Sequence, residues 1–298
     1  MSESRVLELY GLSTRLAEGV DWQNIVERQW CPFTNTKCFK VRKSQPEISI
    51  GTCTVRHGSK QAKDLIICPN RLLERKQVFT DSLHLLTLHE PGNELHVVSE
   101  VSIPGGSVDY FLLSAKQGKV KDFVAIEFQT LDSTGTVWPE RQRFLRGKGI
   151  SVSDAEVESP SGFGMNWKMT AKTILVQLHH KVDTLEHFSK HLVLVVQDHL
   201  LEYMSREFNF AHLHEARIGD AMHFHAYTLN YLNNSFRLDL IKRLSTDAAG
   251  IATCLGLQAE AKVELEVILS ELEKKISANT LFTLGPSPMA PAEQMPSE

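Results

Sequence analysis

Two carboxylates set in apolar runs are the residues of this chain whose types and spacing point most directly to chemistry. Asp109 lies in Ser107-Val108-Asp109-Tyr110-Phe111-Leu112, and Glu127 follows 18 residues later in Phe123-Val124-Ala125-Ile126-Glu127-Phe128-Gln129. Both runs read as strands, and a short turn between them would make the acids antiparallel neighbours. Burying a carboxylate among Val, Ile and Phe is costly unless something compensates, and a divalent cation is the usual compensation. Glu127 and Gln129 are two residues apart, so on a strand both side chains face the same way. The plainer reading is an edge-strand Asp and a solvent-facing Glu.

A second cluster is chemical in a different way. Cys31, Cys38, Cys53 and Cys68 are spaced Cys-x6-Cys-x14-Cys-x14-Cys, and only Cys254 lies elsewhere. Four thiolates suit a tetrahedral soft or borderline cation such as zinc or ferrous iron, and four sulfurs leave no open position, so such a site would be structural. The alternatives are four ordinary buried thiols, since the Cys-x2-Cys knuckle is missing, or a redox or iron–sulfur role. Cys254, in Ala252-Thr253-Cys254-Leu255, reads as a small buried hydrophobe.

An Asp followed by Glu-x-Lys on adjacent strands is the core layout of PD-(D/E)XK nucleases, here with Gln129 where Lys is usual. In that layout the carboxylates hold Mg²⁺, which lowers the pKa of water and offsets charge on the scissile phosphate. Gln129 could hydrogen-bond the attacking water but brings no positive charge. Such nucleases often add one more acid, for which Glu100 is the first choice and Glu94 the second. Taken with the cysteines, the chain resembles the NotI-type restriction endonucleases. The resemblance rests on Trp30-Cys31-Pro32-Phe33, Ile50-Gly51-Thr52-Cys53, Ile67-Cys68-Pro69-Asn70-Arg71, Gly105-Gly106-Ser107-Val108-Asp109 and Ile126-Glu127-Phe128-Gln129. It covers about residues 30–130.

The resemblance implies a homodimeric type II enzyme that cuts double-stranded DNA at a short GC-rich palindrome with Mg²⁺. It also implies an iron held by the four cysteines, and Gln in place of Lys. A two-fold protein would match the palindrome, each protomer cutting one strand. Arginine and lysine suit guanine in the major groove, which makes Arg141, Arg143, Arg146 and Lys148 candidates for DNA contact, or else a solvated basic loop. Two other readings stay open: a non-catalytic DNA-binding regulator with a four-cysteine metal module, and a nuclease without sequence specificity.

The elements that must position these residues follow from the rest of the chain. Its 298 residues, 42% hydrophobic and 23% charged, exclude wholesale disorder, collagen or a coiled-coil rod. The net charge of −4 excludes a histone-like protein, but not a local basic cleft. No apolar run approaches the ~18 residues of a crossing helix, and the charged N-terminus gives no secretory signal, so a cytoplasmic location is expected. The expected fold is α/β: a restriction-endonuclease-like core of mixed sheet flanked by helices, with an inserted four-cysteine metal-binding module.

Four segments are expected: a helical lead-in over 1–29, with Leu9, Leu12, Leu16 and Val20 at helical steps; the metal module over 30–76; the catalytic domain over 77–284; and a Pro-rich disordered tail over 285–298. Within the catalytic domain, residues 81–89 read as a helix, and 95–101, 108–114 and 123–129 as strands. Residues 132–167 read as a long loop, 169–180 as a helix, 191–197 as a buried strand, 200–206 as a helix and 222–229 as a strand. Residues 257–276 form the clearest amphipathic helix. His179-His180 and His223-x-His225 read as core or surface histidines, and Gly162-Phe163-Gly164 is too weak for a phosphate loop.

Overall fold

Val6, Leu7, Glu8 and Leu9 are all buried, which a helix with one face in solvent does not allow, and they form a strand, β1 (Val6–Leu9). In this computed structural model, which describes residues 4–16, 19–59, 61–103 and 106–256, the expected lead-in helix is therefore replaced. Tyr10 and Gly11, both at positive φ, reverse the chain into a short strand at Leu12–Ser13. The apolar steps of three and four residues arise from a strand, a turn and a loop. Among the described residues of this stretch only Trp22–Arg28 is helical (α1), capped by Asp21, whose carboxylate accepts from the Asn24 N–H at 3.0 Å.

Strand β1 pairs antiparallel with β2 (Thr52–His57), which pairs with β3 (Lys63–Ile66), giving a four-stranded sheet with Leu12–Ser13 at one edge. Two of the four cysteines flank this sheet's interior: Cys53 on β2, and Cys68 just before a 3-10 stretch, Pro69–Lys76. Where a helix is expected over 81–89, the chain makes only short helical turns, Gln77–Thr80 and Leu83–Leu85.

The central sheet begins with β4 (Glu94–Ile103), β5 (Gly106–Lys116) and β6 (Lys119–Gln129). Gln117 and Gly118, both at positive φ, form the two-residue turn between β5 and β6, the geometry that matches the twist of a hairpin. After β6 the expected long loop instead contains α2 (Trp138–Gly147), a short helix at Asp154–Glu158 and a two-stranded ribbon of Ser133–Gly135 with Phe163–Met165. Pro139 near the first turn and buried Trp138, Phe144 and Leu145 give α2 an apolar face that its charges hide in the sequence.

The long helix α3 (Trp167–His187) crosses back, followed by β7 (His191–Gln197), α4 (Asp198–Glu207), β8 (Met222–Leu232), β9 (Ser235–Thr246) and α5 (Ala248–Cys254). The seven-stranded sheet runs His214–Glu215, β9, β8, β7, β6, β5, β4. Strands β6, β7 and β8 are parallel and the rest antiparallel, so the fold is mixed α/β. Central β7 is buried at every residue. Strand β9, absent from the sequence reading, is joined to β8 by Asn233-Asn234, again both at positive φ.

One face of the sheet, with Ala125, Leu192, Leu194, Phe224 and Ala226, packs with Ala171, Ile174, Leu178, Val182 and Leu185 of α3. The other, with Ile126, Phe128, Val193, Val195 and Tyr227, packs with Leu72, Val78, Phe79 and Leu85. Residues 1–257 make one compact unit. The expected amphipathic helix over 257–276 and tail over 285–298 lie outside the described residues. Among the described residues no helix is long and apolar enough to cross a membrane.

Candidate active site

Strand register brings three acids into one row. On β5, Val108 pairs with Val101 and Tyr110 with Ser99, which sets Asp109 opposite Glu100 of β4. Tyr110 also pairs with Ile126 of β6, so the next step sets Asp109 beside Glu127. The strand is irregular there. Val108 packs in the same cluster as Phe111, where strict alternation would place it with Tyr110 and Leu112, and Glu100 has a left-handed φ of 55°. This break turns Asp109 so that its Oδ2 accepts from the Phe128 N–H at 2.8 Å.

Glu127 is 5% exposed and lies on the α3 side of the sheet, where Lys181 donates to its Oε1 at 2.5 Å. Burial pushes the Glu127 carboxyl up to about 7; Lys181 opposes the rise, and the neighbouring Asp109 adds to it. Glu100 and Asp109 line a cavity of about 460 Å³ with Tyr110, Phe128 and Asn70. Both acids also raise the Tyr110 hydroxyl, after burial. Glu94, by contrast, pairs with Ala115 near the far end of β5 and contacts His96 at 3.4 Å. Of the two, Glu100 is the acid that register places beside Asp109.

Gln129 ends β6, half-buried, and its amide donates to the Thr130 carbonyl at 2.6 Å. The side chain that reaches Glu127 is Lys181, which sequence reasoning misses by ending the helix at His180. A signal is there. Ile174, Leu178, Lys181 and Leu185 follow steps of four, three and four, so an extended helix places a lysine in its apolar stripe.

The basic candidates separate. Arg141 is 2% exposed, donating to the Ile50 carbonyl at 2.8 Å and to Gln142 at 2.8 Å, and its guanidinium stacks on Trp138. It holds α2 against the cysteine-bearing segment. Arg143 donates to the carbonyls of Val157 and Ser159, Arg146 pairs with Asp154, and Lys148 lies exposed above Phe144.

The four cysteines are all buried and free. A hydrogen bond with Cys53 brings the Cys68 thiol down to about 7, and Lys40 contributes positive charge, while the same bond and burial push Cys53 up. Cys38 senses the charges of both Cys68 and Cys31. The thiols are gathered, yet among the described residues no group of three or more His, Cys, Asp or Glu side chains is arranged to hold a metal ion. The expected four-cysteine centre is therefore not seen as a closed site. The Asp109–Glu127 pair does fit a divalent cation in its chemistry: two adjacent carboxylates, one pushed toward neutrality by burial and by the other, are what a cation would relieve.

His223 and His225 are fully buried on β8, with no hydrogen-bond partner at either His225 nitrogen. Burial lowers His225 to about 3 and His223 to about 4, with Arg243 and neighbouring histidines adding to the effect. Both are neutral in the fold but take up protons in the unfolded chain below about pH 6.5. Stability is therefore unaffected above that pH. It is expected to fall as pH drops from about 6.5 toward 4, by up to about 1.4 kcal/mol per pH unit for each histidine. Denaturant titrations at pH 7 and 5 check this; equal midpoints for wild type and a His225→Phe variant at both would overturn it.

A mixed sheet bearing adjacent Asp and Glu on neighbouring strands is compatible with the restriction-endonuclease-like class. The family model for restriction endonuclease NotI matches residues 20–230, more than half of the chain, and the chain belongs to that family. It is accordingly a site-specific, DNA-binding endonuclease of the type II restriction class. No curated protein matches it.

Proposed function

We propose that this protein makes Mg²⁺-dependent double-strand cuts at a short GC-rich palindromic DNA site, as a homodimer, with Asp109, Glu127 and Glu100 at the centre of the reaction. The observation that carries this reading is the row of three acids, two of which, Glu100 and Asp109, line a cavity, inside a chain of the NotI family. Asp109 and Glu127 would hold Mg²⁺, which supplies Lewis acidity for activating water and for offsetting charge on the scissile phosphate.

Water oxygen bonds to phosphorus, the bond from phosphorus to the leaving sugar oxygen breaks, and the proton lost by the water is balanced by one gained at that oxygen. The backbone N–H of Phe128 fixes the Asp109 carboxylate, and the buried setting of Glu127 keeps bulk water from its inner oxygen. Thr34, Thr36 and Asn70 line the same cavity from the cysteine-bearing segment, where they can meet the DNA backbone. Of the basic candidates Lys148 and Arg146 reach solvent, whereas Arg141 serves packing. The cysteines enter as a structural element, and a structural iron or zinc there is part of the proposal by resemblance.

The test is a long DNA of known sequence incubated with purified protein, with Mg²⁺ or with EDTA. Discrete Mg²⁺-dependent fragments whose ends map to one GC-rich palindrome are expected. A smear would keep the chemistry and discard the specificity; intact DNA would favour a DNA-binding regulator. Metal analysis of the same preparation is expected to give one iron or zinc per chain. Metal-free protein with five titratable thiols would leave the cysteines as the hydrogen-bonded thiols described above.

A further inference from the structure

Resting on that reading, the geometry points to a role for Lys181: we propose that it supplies, from helix α3, the positive charge that Gln129 does not bring, positioning Glu127 and the attacking water. Three observations carry this. Lys181 Nζ lies 2.5 Å from Glu127 Oε1 with both side chains almost wholly buried. Gln129, the residue at the sequence position of the usual lysine, turns its amide to the Thr130 carbonyl at 2.6 Å. And the path of the lysine is kept open by Gly106, where a Cβ would stand 3.3 Å from Lys181 Cε, tighter than ordinary contact.

Packing alone does not account for a lysine here. Its neighbours in the stripe of α3 are Ile174, Leu178, Val182 and Leu185, all fully or almost fully buried. Apolar side chains at both 127 and 181 would spare the desolvation of two charges, and replacing a whole buried ion pair in that way is commonly neutral or stabilising, so packing does not call for the pair. The charge is retained beside the one carboxylate that faces α3 in the acidic row. Helix α3 starts 38 residues after Gln129, so the charge is delivered across the sheet from a different element while Glu127 stays on its strand.

The experiment compares wild type, Lys181→Met, Lys181→Arg and the double variant Lys181→Met with Gln129→Lys. Three quantities are read: single-turnover cleavage in Mg²⁺, DNA affinity in Ca²⁺, and melting temperature. Lys181→Met is expected to cut about 10²–10³-fold more slowly while Ca²⁺-supported binding stays close to wild type. Its melting temperature falls, because Glu127 is left buried without its partner, and the Lys181→Arg and relocated-lysine variants separate that cost from the loss of rate. Lys181→Arg, which keeps the charge with a bulkier head, is expected to fall between the two. Moving the lysine to position 129 is expected to recover at least about tenfold of the rate, because a charge restored on the same strand face as Glu127 serves the same water. Lys181→Met cutting within about threefold of wild type, or a double variant as slow as Lys181→Met, would overturn the proposal while leaving the nuclease reading intact. A wild type that cuts no DNA would remove the nuclease reading and the role of Lys181 with it.

Discussion

Asp109→Asn is expected to abolish cleavage, by at least about 10³-fold, in a protein that still folds and still binds its DNA site in Ca²⁺. The asparagine carbonyl can accept from the Phe128 N–H as Oδ2 does now, so the strand geometry at the break in β5 survives. What disappears is the negative charge beside Glu127, and with it the pair that would hold a divalent cation. Glu127→Gln should lose cleavage to the same degree at a higher structural cost. Its amide matches the carboxyl in shape, but the Lys181 ammonium, buried at 2.5 Å, would then face no counter-charge. The two variants therefore separate in melting temperature while agreeing in activity. Full cleavage by Asp109→Asn would remove the catalytic assignment, whatever its stability.

The second large effect concerns Arg71, whose guanidinium ties three parts of the fold together. Its Nε donates to Glu8 of β1 at 2.8 Å, its Nη1 to Glu74 at 3.0 Å and its Nη2 to the Phe236 carbonyl of β9 at 2.8 Å. Both Arg71 and Glu8 are 1% exposed, and Thr54 of β2 donates to the same Glu8 carboxylate. Burial raises the Glu8 carboxyl, against the pull of Arg71, so the acid depends on that partner to stay ionised at low cost.

Arg71→Ala is expected to lose about 3–5 kcal/mol, because it strands a buried carboxylate as well as removing three donors. Replacing Glu8 and Arg71 together by Met should cost clearly less than Arg71→Ala, since the uncompensated charge goes too. Urea unfolding of the three proteins checks both statements. An Arg71→Ala midpoint equal to wild type would show that the network contributes nothing, and a double variant as unstable as the single one would show that packing dominates.

Much of the catalytic core is legible in the sequence because its signals are local. Three short β-branched and aromatic runs, two of them separated by a Gln-Gly turn, specify a β-meander, and strict strand alternation sets Glu127 and Gln129 on one side. The continuous apolar run of β7 announces a strand buried on both faces. Elements whose burial is decided by distant partners are misread. The Val6–Leu9 segment is a strand because β2 covers one flank and a buried Arg71 meets Glu8; nothing within the first 29 residues signals either. Helix α2 is lost among its charges because Arg141, which looks like a solvent residue, spends its donors on the Ile50 carbonyl and Gln142.

By its residues alone, the chain determined which carboxylates are paired, the strands that carry them, the clustering of its cysteines and the family to which these motifs point. These follow from side-chain periodicity and short turns, which act over a few residues. Tertiary structure decided the rest: Glu100 beside Asp109, by register across β4 and β5; Lys181 at Glu127, by the crossing of α3 over the sheet; and Arg141 in packing, by its burial against a residue 91 positions away. Each depends on which remote element comes to lie alongside. The energy of a buried charge is set by those neighbours and not by the residues next to it in the chain.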